Sequence, residues 1–502
     1  MRTLIRFSTV LSSLLLVGLT NAPHPASASP IYAPLAASNT VFALNLYSQL
    51  AATTTGNIFF SPYSVSACLG MVYDGARGQT ARQMAQALDF STNQPQVGAE
   101  FGALLTELDA QQGLGGVDLT IANGLWAETN YPFLPAFLDN ASNNFDASVQ
   151  RVDFAADALS ITDQINQWVA DRTAGMITKL FTPGQLNAAT VLALVDAIYF
   201  KAAWQSQFPT NATSVQPFYI SPTHSVNVQL MCQSFTNSPL GYYQDAQLQA
   251  VELPYNNSNL TMVLLLPRNV YGLPQLEASL PQELPTVLQG LADFLTADAK
   301  GLQEMGVAVP IDVALPRFSM EMSANLIPPL RNLGMVDAFT TAADFSGING
   351  FGGLLINVIT HKAVIEVDES GAVAAAATGV GIISAVPGQF RADHPFILLI
   401  CDTNSDSILF MGRVVDPTDT GGAPNLSHPL IQTTDADFGI EGGRFGFNVA
   451  ATNATLLVEA CTNLSAPAWF PVKTLTLSNG ASFFSEPLAS NAPSRFYRVR
   501  SP

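Results

Sequence analysis

The chain has 502 residues, 48% of them apolar and 12% charged, and a net charge of −18. That balance excludes a disordered chain and is enough to bury a large core. The negative sign argues against nucleic acid and anionic membrane as partners.

In chain order, the first feature is a charged start, Arg2 and Arg6, then an apolar run over 7–20 and "ASA" at 26–28. This pattern predicts a signal peptide over 1–28 and a secreted protein, extracellular or periplasmic. "NIFFSPYSVSACLGMVYDGARGQTARQMAQAL" contains a turn at Ser61-Pro62 and then the apolar spacing of a helix. "ITDQINQWVADRTAGMITKLF" reads as a second amphipathic helix. "TVLALVDAIYFKAAW" is β-leaning and apolar on both faces, as a central strand of a buried sheet requires. "LTMVLLLP" and "PFILLICD" read as further buried strands. Helices and strands cluster rather than alternate, so the fold class is α+β.

Residues 368–390, "DESGAVAAAATGVGIISAVPGQF", open with two acids and then carry no charge. Alanines favour helix there, glycines oppose it, and the later residues lean toward strand. "DPTDTGGAPNLSHP" then reads as linker, assigned to 418–437. Beyond it, "RFGFNVA", "TLLVEAC", "PVKTLTL", "ASFFS" and "RFYRVR" predict about five short strands in a small β-module over 438–502.

Catalytic patterns are missing. The five histidines stand apart, and there is no GxSxG, HExxH, P-loop or dinucleotide-binding glycine motif. No enzyme, cofactor or metal site is expected. Cys68, Cys232, Cys401 and Cys461 form no CxxC pair. Buried free thiols are the plain reading, with a Cys68–Cys401 bridge left open.

The region 37–417 resembles the serpins, the serine-protease-inhibitor family. The resemblance is carried by "NIFFSPYSVSACLGMVYDGARGQT", "INQWVADRTAGMI", "LVDAIYFKAAW", "VELPY", "LPRF", "LGMVDAF", "ADFSGI", "HKAVIEVDESG", "FRADHPF" and "ILFMGRV", in family order. It implies three β-sheets, about nine helices and an exposed reactive loop. A protease attacks such a loop as bait and forms an acyl-enzyme. The cut loop then inserts into the main sheet and carries the protease with it.

By the same resemblance, the loop hinge comprises Glu369, Gly371, Ala372, Val373, Ala374, Ala375, Ala376, Ala377 and Thr378. The bait bond joins Ala385 to Val386, with Ser384 or Ile383 as alternative positions. The residues flanking it are small or aliphatic, which suits elastase-like and subtilisin-like serine proteases and some cysteine proteases. Ser61, Ser64 and His361 match the cluster beneath the opening sheet. Asp196 stands there in place of the usual asparagine, and could pair with a protonated His361. Glu369 is expected to pair with Arg317 at the loop base. Ala372 replaces the usual Thr or Ser.

The loop meets the demands of an inserted strand. Its inward set, Ala372, Ala374, Ala376, Thr378, Val380 and Ile382, is uncharged, and no proline falls before Pro387. No basic helix suggests a heparin-like ligand, and a monomer is expected. The expected function is a secreted trapping inhibitor of serine proteases. The competing readings are a non-inhibitory carrier or binding serpin, and a surface-adhesion protein acting through its tail. The tail's texture resembles C-terminal modules of secreted bacterial proteins, which implies a bacterial source. Seven Asn-x-Ser/Thr sequons, Asn140 and Asn211 among them, would then be idle.

Overall fold

A computed structural model describes residues 30–235, 240–295, 310–371 and 388–420, and in the tail 430–432, 439–441, 444–450, 455–461, 469–476, 481–487 and 495–500. The expected signal peptide, the hinge residues 372–378 and the bait bond Ala385–Val386 with its alternatives Ser384 and Ile383 lie outside the described residues.

Helix α1 (Ala33–Thr53) buries Leu35, Phe42, Leu46 and Leu50 along one face. Strand β1 (Ile58–Phe60) leads into Ser61, whose hydroxyl accepts the Ser64 N–H at 3.1 Å and caps α2 (Pro62–Gly75). Pro62 sits where its missing N–H costs nothing. The helical spacing read through this stretch covers two helices. Ala76 is extended, and α3 (Gly78–Leu88) begins after it. Then come α4 (Gln94–Asp109), β2 (Asp118–Glu128), α5 (Pro135–Phe145), β3 (Ser148–Val152) and α6 (Phe154–Arg172). The second amphipathic run stops at Arg172, because Ala174 and Gly175 turn to positive φ.

The β-leaning run forms β4 (Leu192–Lys201). It is followed by β5 (Ser214–Ser221), β6 (His224–Phe235), β7 (Gly241–Gln244), β8 (Leu248–Pro254), β9 (Leu260–Pro267) and α7 (Leu273–Asp293). Next are β10 (Ile311–Pro316), β11 (Phe318–Asn325), α8 (Ile327–Asn332), α9 (Ser346–Asn349) and β12 (Thr360–Val367). The body ends with β13 (Gly388–Arg391), β14 (Phe396–Asp402) and β15 (Ser407–Val414).

These strands make three sheets: β1-β15-β14-β9-β8-β7, β13-β10-β6-β5 and β11-β12-β4-β2-β3. The third is the main sheet, with β4 at its centre. Helix α2, buried along nearly its whole length, packs between this sheet and β15. All four cysteines are free, so Cys68 and Cys401 are not bridged.

The tail holds β16 (Leu430–Gln432), β17 (Gly439–Glu441), β18 (Arg444–Ala450), β19 (Thr455–Cys461), β20 (Phe470–Thr476), β21 (Ala481–Pro487) and β22 (Phe496–Arg500). They pair in two small sheets around Phe447, Val449, Val458 and Phe484. Two strands more than the expected five are present among the described residues. β16 lies inside the stretch read as linker, and three residues are too few to show an alternation.

Candidate functional site

The main sheet has one weak seam. β4 pairs β2 antiparallel over ten residue pairs, and β12 pairs β11 antiparallel over eight. β4 and β12 lie parallel and pair over only three: Ala197–Lys362, Ile198–Ala363 and Tyr199–Val364. Toward the N-terminal ends of the two strands, the flanks separate around a cavity of about 200 Å³ lined by Leu192, Leu194, Leu354, Ile356 and Val358. At the other end, Phe200, Lys201, Ile365 and Glu366 border a much smaller gap beside Gly371.

Beyond β12 the chain is clamped to the residues that follow β4. The Trp204 indole N–H donates to the Asp368 carbonyl at 2.9 Å, and the Trp204 backbone N–H donates to the Ser370 carbonyl at 3.2 Å. Phe208 N–H donates to the Glu369 carbonyl at 3.0 Å. Asp368 Oδ1 accepts the Ser370 N–H at 2.9 Å and its hydroxyl at 2.7 Å. Gly371 ends the clamp at φ +68°, and a Cβ there would stand 2.4 Å from Trp204 N.

Glu369 Oε1 accepts from Arg317 Nη2 and, at 2.5 Å, from the Thr213 hydroxyl. Burial pushes this carboxyl up, but the two donors outweigh it and hold it below the usual carboxylate range. The structure therefore brings Glu369 and Arg317 together. Thr213 and Trp204 carry the same root, and sequence reading had not assigned them this role. Trp204 ends the quoted strand motif, whereas Thr213 offers no sequence signal.

Immediately below the seam's three pairs, Asp196 of β4 faces His361 of β12. Their Oδ2 and Nδ1 atoms stand 3.9 Å apart. Both are buried against the start of α2. Ser61 N–H donates to His361 Nε2 at 3.0 Å, the Ser61 hydroxyl donates to the Leu409 carbonyl at 2.6 Å, and the Ser64 hydroxyl donates to Asp196 Oδ1. The structure thus gathers Ser61, Ser64, Asp196 and His361 in one cluster.

An ion pair between Asp196 and a protonated His361 is not what forms. Burial lowers the imidazole to about 4, and its Nε2 is already an acceptor. Burial raises the Asp196 carboxyl to about 7, against the Ser64 hydrogen bond that favours its charged form. The 3.9 Å separation is too long for a hydrogen bond, and Nδ1 has no partner.

The far root of the loop is β13, which pairs parallel with β10. Just beyond it, Asp393 accepts from Arg391 Nε at 3.0 Å and contacts His394 Nδ1 at 2.9 Å. The two roots therefore belong to different sheets, joined by residues 372–387.

Residues 37–417 match the family described as "Serpin (serine protease inhibitor)". The chain is 38% identical over 393 residues to the leukocyte elastase inhibitor of Bos taurus, covering 76% of this chain and 99% of the relative. It is 36% identical over 392 residues to the leukocyte elastase inhibitor of Homo sapiens, with the same coverage. Among solved structures, human glycosylated kallistatin superposes with a TM-score of 0.67 at 29% identity, covering 78% of this chain and 99% of that one. Uncleaved ovalbumin gives a TM-score of 0.63 at 27% identity, covering 76% and 100%.

Proposed function

The chain belongs to the serpin family, and we propose that it is a secreted inhibitor that traps serine proteases by inserting its cut loop between β4 and β12. The observation that carries this reading is the three-pair parallel seam, flanked by gaps and lying directly below the clamped loop root.

The geometry supplies the reason for insertion. A segment leaving β12 and folding back on it runs antiparallel to β12. Since β12 and β4 are parallel, the same segment runs antiparallel to β4 as well. Insertion replaces one short parallel pairing with two antiparallel ones. About a dozen inserted residues at about 1 kcal/mol per net hydrogen bond give on the order of 10 kcal/mol. The uncharged sequence of 372–383 lets both faces of such a strand be buried.

The protease acts first in this reading. Its nucleophile attacks the carbonyl of Ala385, the amine of Val386 leaves, and the acyl-enzyme is carried off before water reaches it. The loop's small and aliphatic residues suit a shallow specificity pocket. Elastase-like targets agree with the names of the relatives, and subtilisin-like serine or cysteine proteases share that preference. Secretion, a monomeric state and a bacterial source belong to the same reading; secretion rests on the N-terminal pattern and the bacterial source on the tail.

The test is incubation with elastase and subtilisin, followed by denaturing electrophoresis. A band at the combined mass that survives denaturant is expected. Cleaved chain alone, with every small-residue protease tried, would leave a substrate or carrier in place of an inhibitor.

A further inference from the structure

The residues at the seam's lower limit differ from the rest of the sheet in being ionisable and buried. Asp196 lies on β4 and His361 on β12, so parting these strands at the seam must bring water to both. In the closed sheet neither finds a counter-ion. Ser61 N–H occupies Nε2, which puts the proton of a neutral ring on Nδ1, 3.9 Å from Asp196 Oδ2. The Ser64 hydroxyl occupies Asp196 Oδ1.

The other groups around the pair do not supply charge. On α2, burial pushes Tyr63 and Cys68 to titrate far above neutrality, so both stay uncharged beside the pair. Asn123 of β2 stands opposite Asp196 in register, and Ala324 of β11 stands opposite His361. Lys362, the next residue after His361, is paired with Glu321 of β11 at 2.6 Å.

We infer that Asp196 and His361 form a proton-balanced latch, in which opening the seam turns a buried neutral carboxyl and neutral imidazole into a hydrated carboxylate and imidazolium. The balance is one proton lost by the carboxyl and one gained by the ring, with none exchanged with solvent overall. This inference rests on the reading of the β4–β12 seam as the part that opens.

The pH consequence has a defined window. Closed, the carboxyl titrates at about 7 and the ring at about 4; in water their ordinary values are 3.8 and 6.5. The carboxyl alone makes opening easier as pH rises from about 4 to about 7. The ring alone makes opening harder as pH rises from about 4 to about 6.5. Between about 4 and 6.5 the two slopes cancel, so a secreted protein keeps the same sheet stability through mildly acidic surroundings.

The experiment is amide hydrogen exchange at 197–199 and 362–364 of the intact chain, corrected for the intrinsic pH dependence of exchange, from pH 4.5 to 6.2. The wild type is expected to hold a constant protection factor. Asp196→Asn should gain protection with rising pH, by up to tenfold per unit, and His361→Gln should lose it by up to tenfold per unit. Profiles of both variants parallel to the wild type would overturn the latch. If either variant does not fold, the ring decides: the wild-type His361 nitrogen resonances should report a neutral ring with Nδ1–H at pH 5.5, and an imidazolium there would overturn it. No protease enters these measurements, so a failure of trapping and a failure of the latch are read separately.

Discussion

Glu369, two residues beyond β12, places its buried carboxylate against Arg317, the residue between β10 and β11. This ion pair and the Thr213 hydroxyl fix the point where the loop leaves the main sheet. Arg317 is 45% exposed, so solvent screens the pair and most of its value comes from not stranding the buried Glu369. Glu369→Gln should lower the unfolding free energy of the intact chain by about 1–2 kcal/mol at pH 7. The folded carboxyl titrates below its ordinary 4.5, so this contribution is complete above about 4.5 and is lost as pH falls through the folded value. Urea midpoints of variant and wild type should therefore converge in acid.

Gly371 makes a second, independent prediction. Its φ is +68°, and an added Cβ would collide with the Trp204 nitrogen and the Ala202 carbonyl, so there is no room for a side chain. Gly371→Ala should cost roughly 2–4 kcal/mol, through left-handed strain and displacement of the clamp. Thermal unfolding of the intact chain measures it. An unchanged midpoint would mean that the clamp does not hold the root.

Ser61 serves two elements at once. Its hydroxyl donates to the Leu409 carbonyl at 2.6 Å and accepts the Ser64 N–H at 3.1 Å. Ser61→Ala removes both bonds in a buried site and should destabilise the chain by about 1–3 kcal/mol. The Ser61 N–H bond to His361 survives in this variant, so the histidine should stay neutral. Its ring resonances check that.

The loop itself is tested by charge. Ala374 belongs to the set expected to face inward once the loop is inserted. Ala374→Glu would bury a carboxylate at a cost of several kcal/mol. The protease should still cut near Ala385, yet the covalent complex should give way to cleaved chain on a denaturing gel. Retention of full complex yield would show that this residue does not enter the sheet.

Much of the scaffold was legible. A run apolar on both faces marked β4 as central, and Glu369 with Arg317 could be matched through the motifs around them. The seam was not legible, because three residue pairs between strands far apart in sequence depend on tertiary register. Asp196 and His361 could be placed together, but their charge states follow from burial, which spacing does not encode. The break between α2 and α3 had a signal in Gly75 and Gly78. What holds it, a bond from Arg77 N–H to the Asp344 carbonyl at 2.8 Å, is a tertiary contact. β16 was missed for want of length.

Entry of the cut loop between β4 and β12 is read by cutting the intact chain once within residues 372–387, mapping the cut by mass spectrometry, and comparing thermal unfolding before and after. Insertion worth on the order of 10 kcal/mol predicts a rise in melting temperature of roughly 10 °C or more. An unchanged or lower melting temperature after a verified cut would contradict insertion at the seam.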